Sequence, residues 1–478
     1  NLAGGMIWLW ADQGIYRSIE GKEVLNSYEN IYVLKNKDTG LSADVWIDDN
    51  TIMDSHGQFG TDGIVYGNRK PQTDYWETRS VYAPVKIKEN ETKVSEGKQK
   101  LPVTIINRYD FTNLNQTAIS WKLHSGNEVV QSGTFSPDVQ PHQQKVVDIS
   151  LKIPEMEHRD TRLSFEIIDP YERNIAGHNR ELSQRNTGID FAFAMGEKLT
   201  EDKLNLASKS NLPSDISLSD FSTLKLSENG IQLLVNEEVV IESAPMLRVG
   251  RKPTMSERRT YDMADSWFWE PSLLSGGYLR EYSYGTDQEN KVVQVMYEYR
   301  HPDSARQKIN VEVQMVIYPE GYLDVSYNIE PVNCSGYFLE IGLGLNVSQE
   351  YNEIRWLGNG PFPSYPHKNE LAKRGVYSVT REMEYFDGNR QHVDLAAFLN
   401  KNDDGLGLVI NGDNVGWSKN QEGYAVYVNS EVASHGTKFK FPLKSIQADS
   451  NKTYKGTFRL VPLNNRKWPV VFEENLGF

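Results

Sequence analysis

Cysteine is nearly absent: Cys334 is the one thiol in 478 residues. A lone cysteine excludes an intrachain disulfide framework and any cysteine-rich metal site. Positive charge is also short, with 51 Lys and Arg against 65 Asp and Glu and a net charge of −14. Nucleic-acid surfaces need clustered cations to neutralise phosphates, and membrane-surface anchors need polybasic runs, so neither partner is expected. No apolar run reaches the roughly 18 residues that a spanning helix needs. Motifs of the G-x-x-x-x-G-K-[ST], H-E-x-x-H and G-x-S-x-G kinds are missing as well, which removes the phosphate-loop, zinc-peptidase and nucleophile-elbow readings.

What remains is a soluble-type composition, 38% hydrophobic and 24% charged, with 25 Tyr and 10 Trp. Its length predicts two to four domains at about 100–200 residues each. The chain opens on Asn1 and runs at once into Gly4-Gly5-Met6-Ile7-Trp8-Leu9-Trp10, an apolar stretch too short for a signal peptide and without its basic flank. Such a run reads as a buried strand with no partner before it. The expectation is that the chain is part of a larger polypeptide whose N-terminal portion is missing.

Three textures follow. Residues 1–83 read as that strand, a long irregular Gly- and Asp-rich connection, and one short helix after Pro71 that carries Tyr75, Trp76 and Thr78. Residues 84–195 change to period two: Ile119, Trp121 and Leu123 alternate with polar neighbours, as do Leu163, Phe165 and Ile167. Strands of that spacing between Gly, Asn and Pro predict an immunoglobulin-like β-sandwich. Residues 196–219 are polar and read as a linker. Residues 220–478 return to β texture, with the clearest hairpin running from Ile309 to Ile317, through Pro319-Glu320-Gly321, and back from Leu323 to Ile329. Further strands are read at Gly405 to Ile410 and Tyr454 to Val461, and the whole as a large two-layer sandwich.

Four blocks then carry a resemblance. Gly4-Gly5-Met6-Ile7-Trp8-Leu9-Trp10-Ala11-Asp12-Gln13 resembles the eighth strand of the (β/α)8 barrel of family 2 glycoside hydrolases, the β-galactosidases among them. Gln58-Phe59-Gly60-Thr61-Asp62-Gly63-Ile64-Val65 through Arg69-Lys70-Pro71 is similar to the stretch leading into their last barrel helix. Arg355-Trp356-Leu357-Gly358-Asn359-Gly360-Pro361 with Tyr365-Pro366 resembles the W-L-G-x-G-P…Y-P signature of their small-chain domain, and Gly388-Asn389-Arg390 followed by Gly405-Leu406-Gly407-Leu408 continues it. The resemblance implies a mainly β fold: the last strand and helix of a truncated TIM barrel, an immunoglobulin-like sandwich, and a galactose-mutarotase-like supersandwich. It implies a retaining glycosidase whose two catalytic Glu residues lie upstream, so that this chain holds no catalytic residue. It also implies a β-galactoside or related oligosaccharide as ligand, the upstream barrel and N-terminal domains as partners, and room for a homo-oligomer. Compartment is left open between cytoplasm and bacterial periplasm.

Residue by residue, Trp8 matches an active-site Trp that lies beneath the flat C–H face of galactose, where plain core packing is the bland alternative. Trp10 would face the other way, against barrel helices. Phe59 and Asp62 match a pair that holds a monovalent cation, Na⁺, the first through its carbonyl and the second through its side-chain oxygen, beside the galactose 6-hydroxyl. Relatives often carry Asn where Asp62 stands, and an ordinary Gly-Thr-Asp-Gly turn is the other account. Mg²⁺ would belong to upstream residues of the whole enzyme. Arg355, Trp356 and Tyr365 carry the resemblance with structural use expected, and the Trp267-Phe268-Trp269 cluster is either a sugar platform or a loop folded onto the sandwich. Two rivals stand beside the glycosidase. One is a non-catalytic carbohydrate-binding or scaffolding β-sandwich protein. The other is a mutarotase- or lyase-like enzyme needing a His, from His301, His367, His392 or His435, beside a carboxylate.

Overall fold

The structure, a computed structural model, describes residues 7, 9–11, 14–18, 24–28, 31–36, 40–48, 51–55, 63–65, 73–89, 97–125, 128–153, 161–168, 174–181, 204, 213–227, 230–251, 275–301, 304–370, 372–380, 388–419, 423–435, 444–448 and 451–465. The chain forms two compact units, Asn1–Pro84 and Val85–Phe478.

In the first unit, β1 (Gly14–Ser18), β2 (Val24–Tyr28), β3 (Ile31–Asn36), β4 (Gly40–Asp48) and β5 (Thr51–Ser55) form an antiparallel sheet in the order β1-β5-β4-β3-β2. The sequence reading expects an irregular connection here. The strands are short and bounded by Asn, Asp and Gly, so local punctuation hides a ladder that is set by partners such as Ile31 opposite Val45. Helix α1 (Thr73–Val81) stands where the helical signal falls, with Asp74 in its first turn and Arg79 in its last, each complementing the helix dipole. Of the apolar run at the start, Ala11 makes a parallel bridge to Val65. Trp10 is 56% exposed and meets Tyr75 of α1 edge-on at 5.9 Å, so it is only partly packed against a helix.

The second unit opens with β6 (Val85–Glu89), β7 (Gly97–Asn107), β8 (Ala118–Ser125), β9 (Glu128–Phe135), β10 (Gln144–Ile153), β11 (Thr161–Ile168) and β12 (Asn174–Glu181). They make two antiparallel sheets, β10-β7-β6 and β12-β11-β8-β9, the three-plus-four layout of an immunoglobulin-like sandwich. The alternation read from the sequence is the burial pattern: Ile119, Leu123, Leu163, Phe165 and Ile167 are buried and meet Leu101, Val103 and Ile105 of the facing sheet. Trp121 lies flat across Gly133 on the neighbouring strand, where a Cβ would come within 2.8 Å of the indole, so the ring requires a glycine there.

The rest of the unit is one continuous hydrogen-bonded sheet. Its strands are β13 (Asp215–Ser219), β14 (Ser222–Ser227), β15 (Gly230–Val235), β16 (Glu238–Arg248), β17 (Ser275–Asp287), β18 (Asn290–His301), β19 (Ser304–Ile317), β20 (Leu323–Val332), β22 (Glu340–Ser348), β23 (Glu353–Gly360), β24 (Lys373–Thr380), β25 (Gly388–Leu399), β26 (Gly405–Lys419), β27 (Gly423–Val432) and β29 (Tyr454–Leu463), with β21 (Tyr337–Phe338) and β28 (Ile446–Gln447) as a separate pair. The main path runs β13-β14-β15-β16-β22-β27-β26-β29-β20-β19-β18-β17, and β25, β23 and β24 branch from β26. Residues near both ends of that path, Leu224 and Leu233 on one side and Val293 and Val313 on the other, share one core, so the sheet curls back on itself as a large sandwich. The linker reading of 196–219 fails at its end, because Ile216 and Leu218 alternate into the core and make β13. Two apolar residues among Ser and Asp are too few to register as a period. The β19–β20 hairpin is as read, and Gly321 supplies the positive φ of 93° that its turn requires. Lys86 and Glu370 pair at 2.6 Å between the small sandwich and the large sheet, but both are solvent-exposed enough that the contact contributes at most about 1 kcal/mol.

On β18, Glu298 is held by Arg280 at 2.5 Å, Arg300 at 2.7 Å and Lys308 at 2.9 Å. Hydrogen bonds from Arg280, then Lys308 and Arg300, lower its carboxyl from 4.5 to about 2. The folded value lies below the unfolded one, so the stabilisation is present above pH 4.5 and drains away as pH falls toward 2. In thermal melts between those pH values, Glu298→Gln should show a flatter acid limb than the parent chain; parallel limbs would contradict this.

Candidate functional site

The residues of the small-chain signature converge on one buried junction. β23 pairs with β25 through Arg355 opposite Ala397 and Trp356 opposite Ala396, and β25 pairs with β26 through Asn389 opposite Gly416 and Arg390 opposite Val415. This brings Trp356, Arg390 and Trp417 together. The Arg390 guanidinium, fully buried, lies 3.7 Å from the Trp417 ring and 4.7 Å from the Trp356 ring. The indoles meet edge-on at 5.2 Å, and Tyr377 stacks on the outer face of Trp356 at 5.3 Å. A guanidinium tolerates such burial because aromatic faces carry negative quadrupole density and its charge is delocalised.

Asn389 sews the following loop to this junction. Its N–H donates to the Tyr365 hydroxyl at 3.1 Å, and its amide donates to the Ser364 carbonyl at 3.0 Å and to Asn414 Oδ1 at 3.2 Å. The Asn429 amide donates back to Asn389 Oδ1 at 3.2 Å, and the Gln391 N–H donates to Ser364 Oγ at 2.9 Å. Tyr365 is consequently buried, with His435 tilted against it at 4.2 Å and Arg251 5.4 Å from its ring. Burial, and then the nearby charge of Glu340, push the Tyr365 hydroxyl above its ordinary range, so it is a neutral donor and acceptor.

Beside Tyr365, Arg248 donates to Glu340 at 2.7 Å and covers the Tyr427 ring at 4.0 Å. Burial alone would lower the Arg248 guanidinium, but Glu340 outweighs it and the net direction is up. The pair is therefore a neutralised ion pair, not a poised acid or base. The sequence segment Leu247 to Thr254 holds the signal for it, in Arg248 and Arg251, but not for their partners, which come from β22, β27 and the loop after β23.

Of the four histidines considered, His435 alone meets Tyr365, whereas His367 and His392 are exposed. Glu340 is sequestered by Arg248, so the junction orders the fold more than it offers acid–base chemistry. Burial raises the Cys334 thiol to about 11, which keeps it protonated and unreactive.

Trp8, Phe59 and Asp62 lie outside the described residues, as do Trp267, Phe268 and Trp269. Described backbone next to Trp8 and Asp62 pairs. Ile64 N–H donates to the Leu9 carbonyl at 3.1 Å and Val65 N–H to the Trp10 carbonyl at 3.0 Å. Among the described residues no three His, Cys, Asp or Glu converge as a metal site.

Comparison with known proteins adds two family matches. Residues 103–184 match β-galactosidase domain 4, and residues 221–453 match the β-galactosidase small chain. Among curated relatives, a β-galactosidase of Clostridium acetobutylicum is 21% identical over 394 residues, covering 79% of this chain and 39% of that protein. One from Staphylococcus xylosus is 21% identical over 375 residues, covering 77% of this chain and 34% of that protein. The chain thus spans little more than a third of the length of these relatives. Among solved structures, an aldose epimerase homologue from C. elegans aligns with a TM-score of 0.30 at 9% identity, covering 54% of this chain and all of that one.

Proposed function

We propose, on the premise that this chain belongs with the β-galactosidases through its domain 4 and small-chain segments, that it forms part of a retaining family 2 glycoside hydrolase acting on terminal β-galactosides. The observation that carries the reading is the succession of the two matched segments in one chain, with the second containing the buried Trp356, Asn389 and Arg390 junction. In such hydrolases two carboxyls about 5–5.5 Å apart divide the reaction into two displacements through an oxocarbenium-like transition state. No residue of this chain is assigned to that pair, which we place in a catalytic barrel outside residues 1–478.

This chain's own contribution is to position substrate. Trp8 offers an apolar face to the C–H side of the galactose ring, and Asp62 an oxygen near its 6-hydroxyl. Phe59 and Asp62 would hold a Na⁺, and a main-chain carbonyl with a carboxylate is a donor set that suits a hard monovalent cation. That ion, when bound, fixes the 6-hydroxyl. The backbone pairing of Leu9 and Trp10 with Ile64 and Val65 supports the reading, since these are the described neighbours of Trp8 and Asp62.

The chain alone should give only background turnover of p-nitrophenyl β-galactoside. Mixing it with the separately produced remainder of the longer polypeptide should restore turnover. Trp8→Ala in that mixture should lower kcat/KM about tenfold, the loss of roughly 1.4 kcal/mol of sugar-face contact. Turnover by the isolated chain would place the catalytic pair within it and defeat the assignment. No gain on mixing would favour a carbohydrate-binding or scaffolding protein instead.

A further inference from the structure

We infer that one loop end of the small β-sandwich binds saccharide, with Phe111 as the platform for a single neutral pyranose ring of a glycan. The inference is separate from galactoside hydrolysis. It requires no catalytic residue.

Phe111 lies in the connection between β7 and a short 3₁₀ turn, Leu114–Gln116. Its side chain is 95% exposed, more than any other large hydrophobic side chain among the described residues. A phenyl ring left in water forgoes the transfer free energy that burial supplies. A loose loop would lay such a ring down on the surface, but this loop is pinned from both sides. Before it, the buried Asn107 donates through its amide to the Thr112 and Val139 carbonyls, each at 2.8 Å, and its Oδ1 accepts from the Tyr109 N–H at 2.9 Å. After it, Asn113 Oδ1 accepts from the Asn115 N–H at 3.0 Å and the Val139 N–H at 3.1 Å, while its amide donates to Asp138 at 2.7 Å. Tyr109, Leu114 and Val139 are anchored in the sandwich core. The platform is therefore ordered on folding, and a ligand meets little of that cost.

The second connection, between β9 and β10, belongs to the same network. His142 Nε2 lies 3.0 Å from Asp110 Oδ1, and both side chains are well exposed. His142 has a φ of 60°, a left-handed conformation that a non-glycine residue keeps only where its surroundings hold it. The Gln143 N–H donates to the Gln140 carbonyl at 3.1 Å, and the Gln143 carbonyl accepts from the Asn107 N–H at 2.9 Å, which fixes the turn that carries the imidazole.

What surrounds the ring selects its ligand. An aromatic anchor for a protein partner needs apolar neighbours that exclude water around it. Here every other exposed residue of the two connections is polar or charged, with Arg108, Asp110, Gln140, His142 and Gln143 among them. A pyranose has the matching make-up, an apolar C–H face inside a rim of hydroxyls. Phe111 takes the face, and the carboxylate, guanidinium and amide groups meet hydroxyls that both donate and accept. Arg108 and Lys145, the latter 3.5 Å from the Asp138 carbonyl, are balanced by Asp110 and Asp138, so a sulfated or uronate ring gains no net attraction.

The test is calorimetric titration of the 478-residue chain with β-1,4-galactotetraose and with cellotetraose, beside a sulfated galactan. Saturable binding of a neutral tetrasaccharide is expected. Phe111→Ala should weaken it about tenfold, the loss of one aromatic face, and leave the melting temperature unchanged because the ring is not part of the core. Phe111→Trp should bind at least as well as the parent, and Phe111→Leu as poorly as Phe111→Ala, since a flat face is required and not apolar area alone. The inference is overturned by absence of saturable binding, by Phe111→Ala or Phe111→Leu binding like the parent, or by preference for the sulfated galactan. Self-association in sedimentation that Phe111→Ala abolishes would make the ring a protein contact and overturn it too. If Trp8→Ala abolishes sugar binding and Phe111→Ala does not, the sugar occupies the galactoside site proposed above, and this inference falls while that reading stands.

Discussion

Asp324→Ala should destabilise the large sheet by about 3–5 kcal/mol, the cost of leaving a buried charge without its partner. Asp324 on β20 and Arg459 on β29 are register partners, and the pair is bidentate, with Nε to Oδ1 at 2.6 Å and Nη2 to Oδ2 at 3.0 Å. Their side chains are 0% and 2% exposed. The Tyr318 hydroxyl donates to Asp324 Oδ2 at 3.0 Å, and the Tyr322 ring covers the guanidinium at 4.2 Å. Truncation leaves the buried Arg459 guanidinium without this counter-charge. The double change Asp324→Leu with Arg459→Met removes both charges and fills similar space, so it should recover most of the loss. Urea midpoints of the single and double variants read this out. A single variant as stable as the parent would mean that the pair is solvated in solution.

Trp356→Ala should cost a similar amount, about 3–5 kcal/mol, for a different reason. The indole is fully buried between Tyr377, Trp417 and Arg390, so its removal leaves a cavity that rigid strands cannot close. It also strips one aromatic face from a buried cation and the donor from the Asn359 carbonyl, which Nε1 reaches at 3.0 Å. Trp356→Phe keeps most of the packing and loses mainly that hydrogen bond, about 1 kcal/mol. The ordering Ala well below Phe, and Phe a little below the parent, can be checked by thermal and urea unfolding. Equal loss in the two variants would assign the cost to the hydrogen bond and not to the cavity.

These residues also show how far the sequence could be read. Trp356 sits in a signature whose strand character is plain from its apolar residues, and the structural role expected for it is the one its burial gives. The β19–β20 hairpin and strands β8 and β11 were legible because one face is dry and the other wet, which writes period two into the chain. The β1–β5 sheet was not legible, because most of its strands are brief and their neighbours polar, although all but the β1–β5 pairing join strands consecutive in the chain. Long-range partners are why Arg248 was visible and Glu340 was not: the two are 92 positions apart. The positions proposed for substrate, Trp8 and Asp62, and for the cation, Phe59 and Asp62, were read from resemblance and not from any periodicity of the chain.

The place of β29 in the sheet has a consequence for biosynthesis. It is the last strand described, yet it lies between β26 and β20, joining two stretches of ladder. Until residues 454–463 have left the ribosome, β20 and β26 each present an unmatched edge, the kind of surface that recruits stray strands from other chains. Closure must also wait for loops of more than a hundred residues to be traversed, which makes assembly slow relative to its local hairpins. Between the emergence of β20 and that of β29 the nascent chain would therefore depend on shielding of these edges, which a single strand insertion then closes.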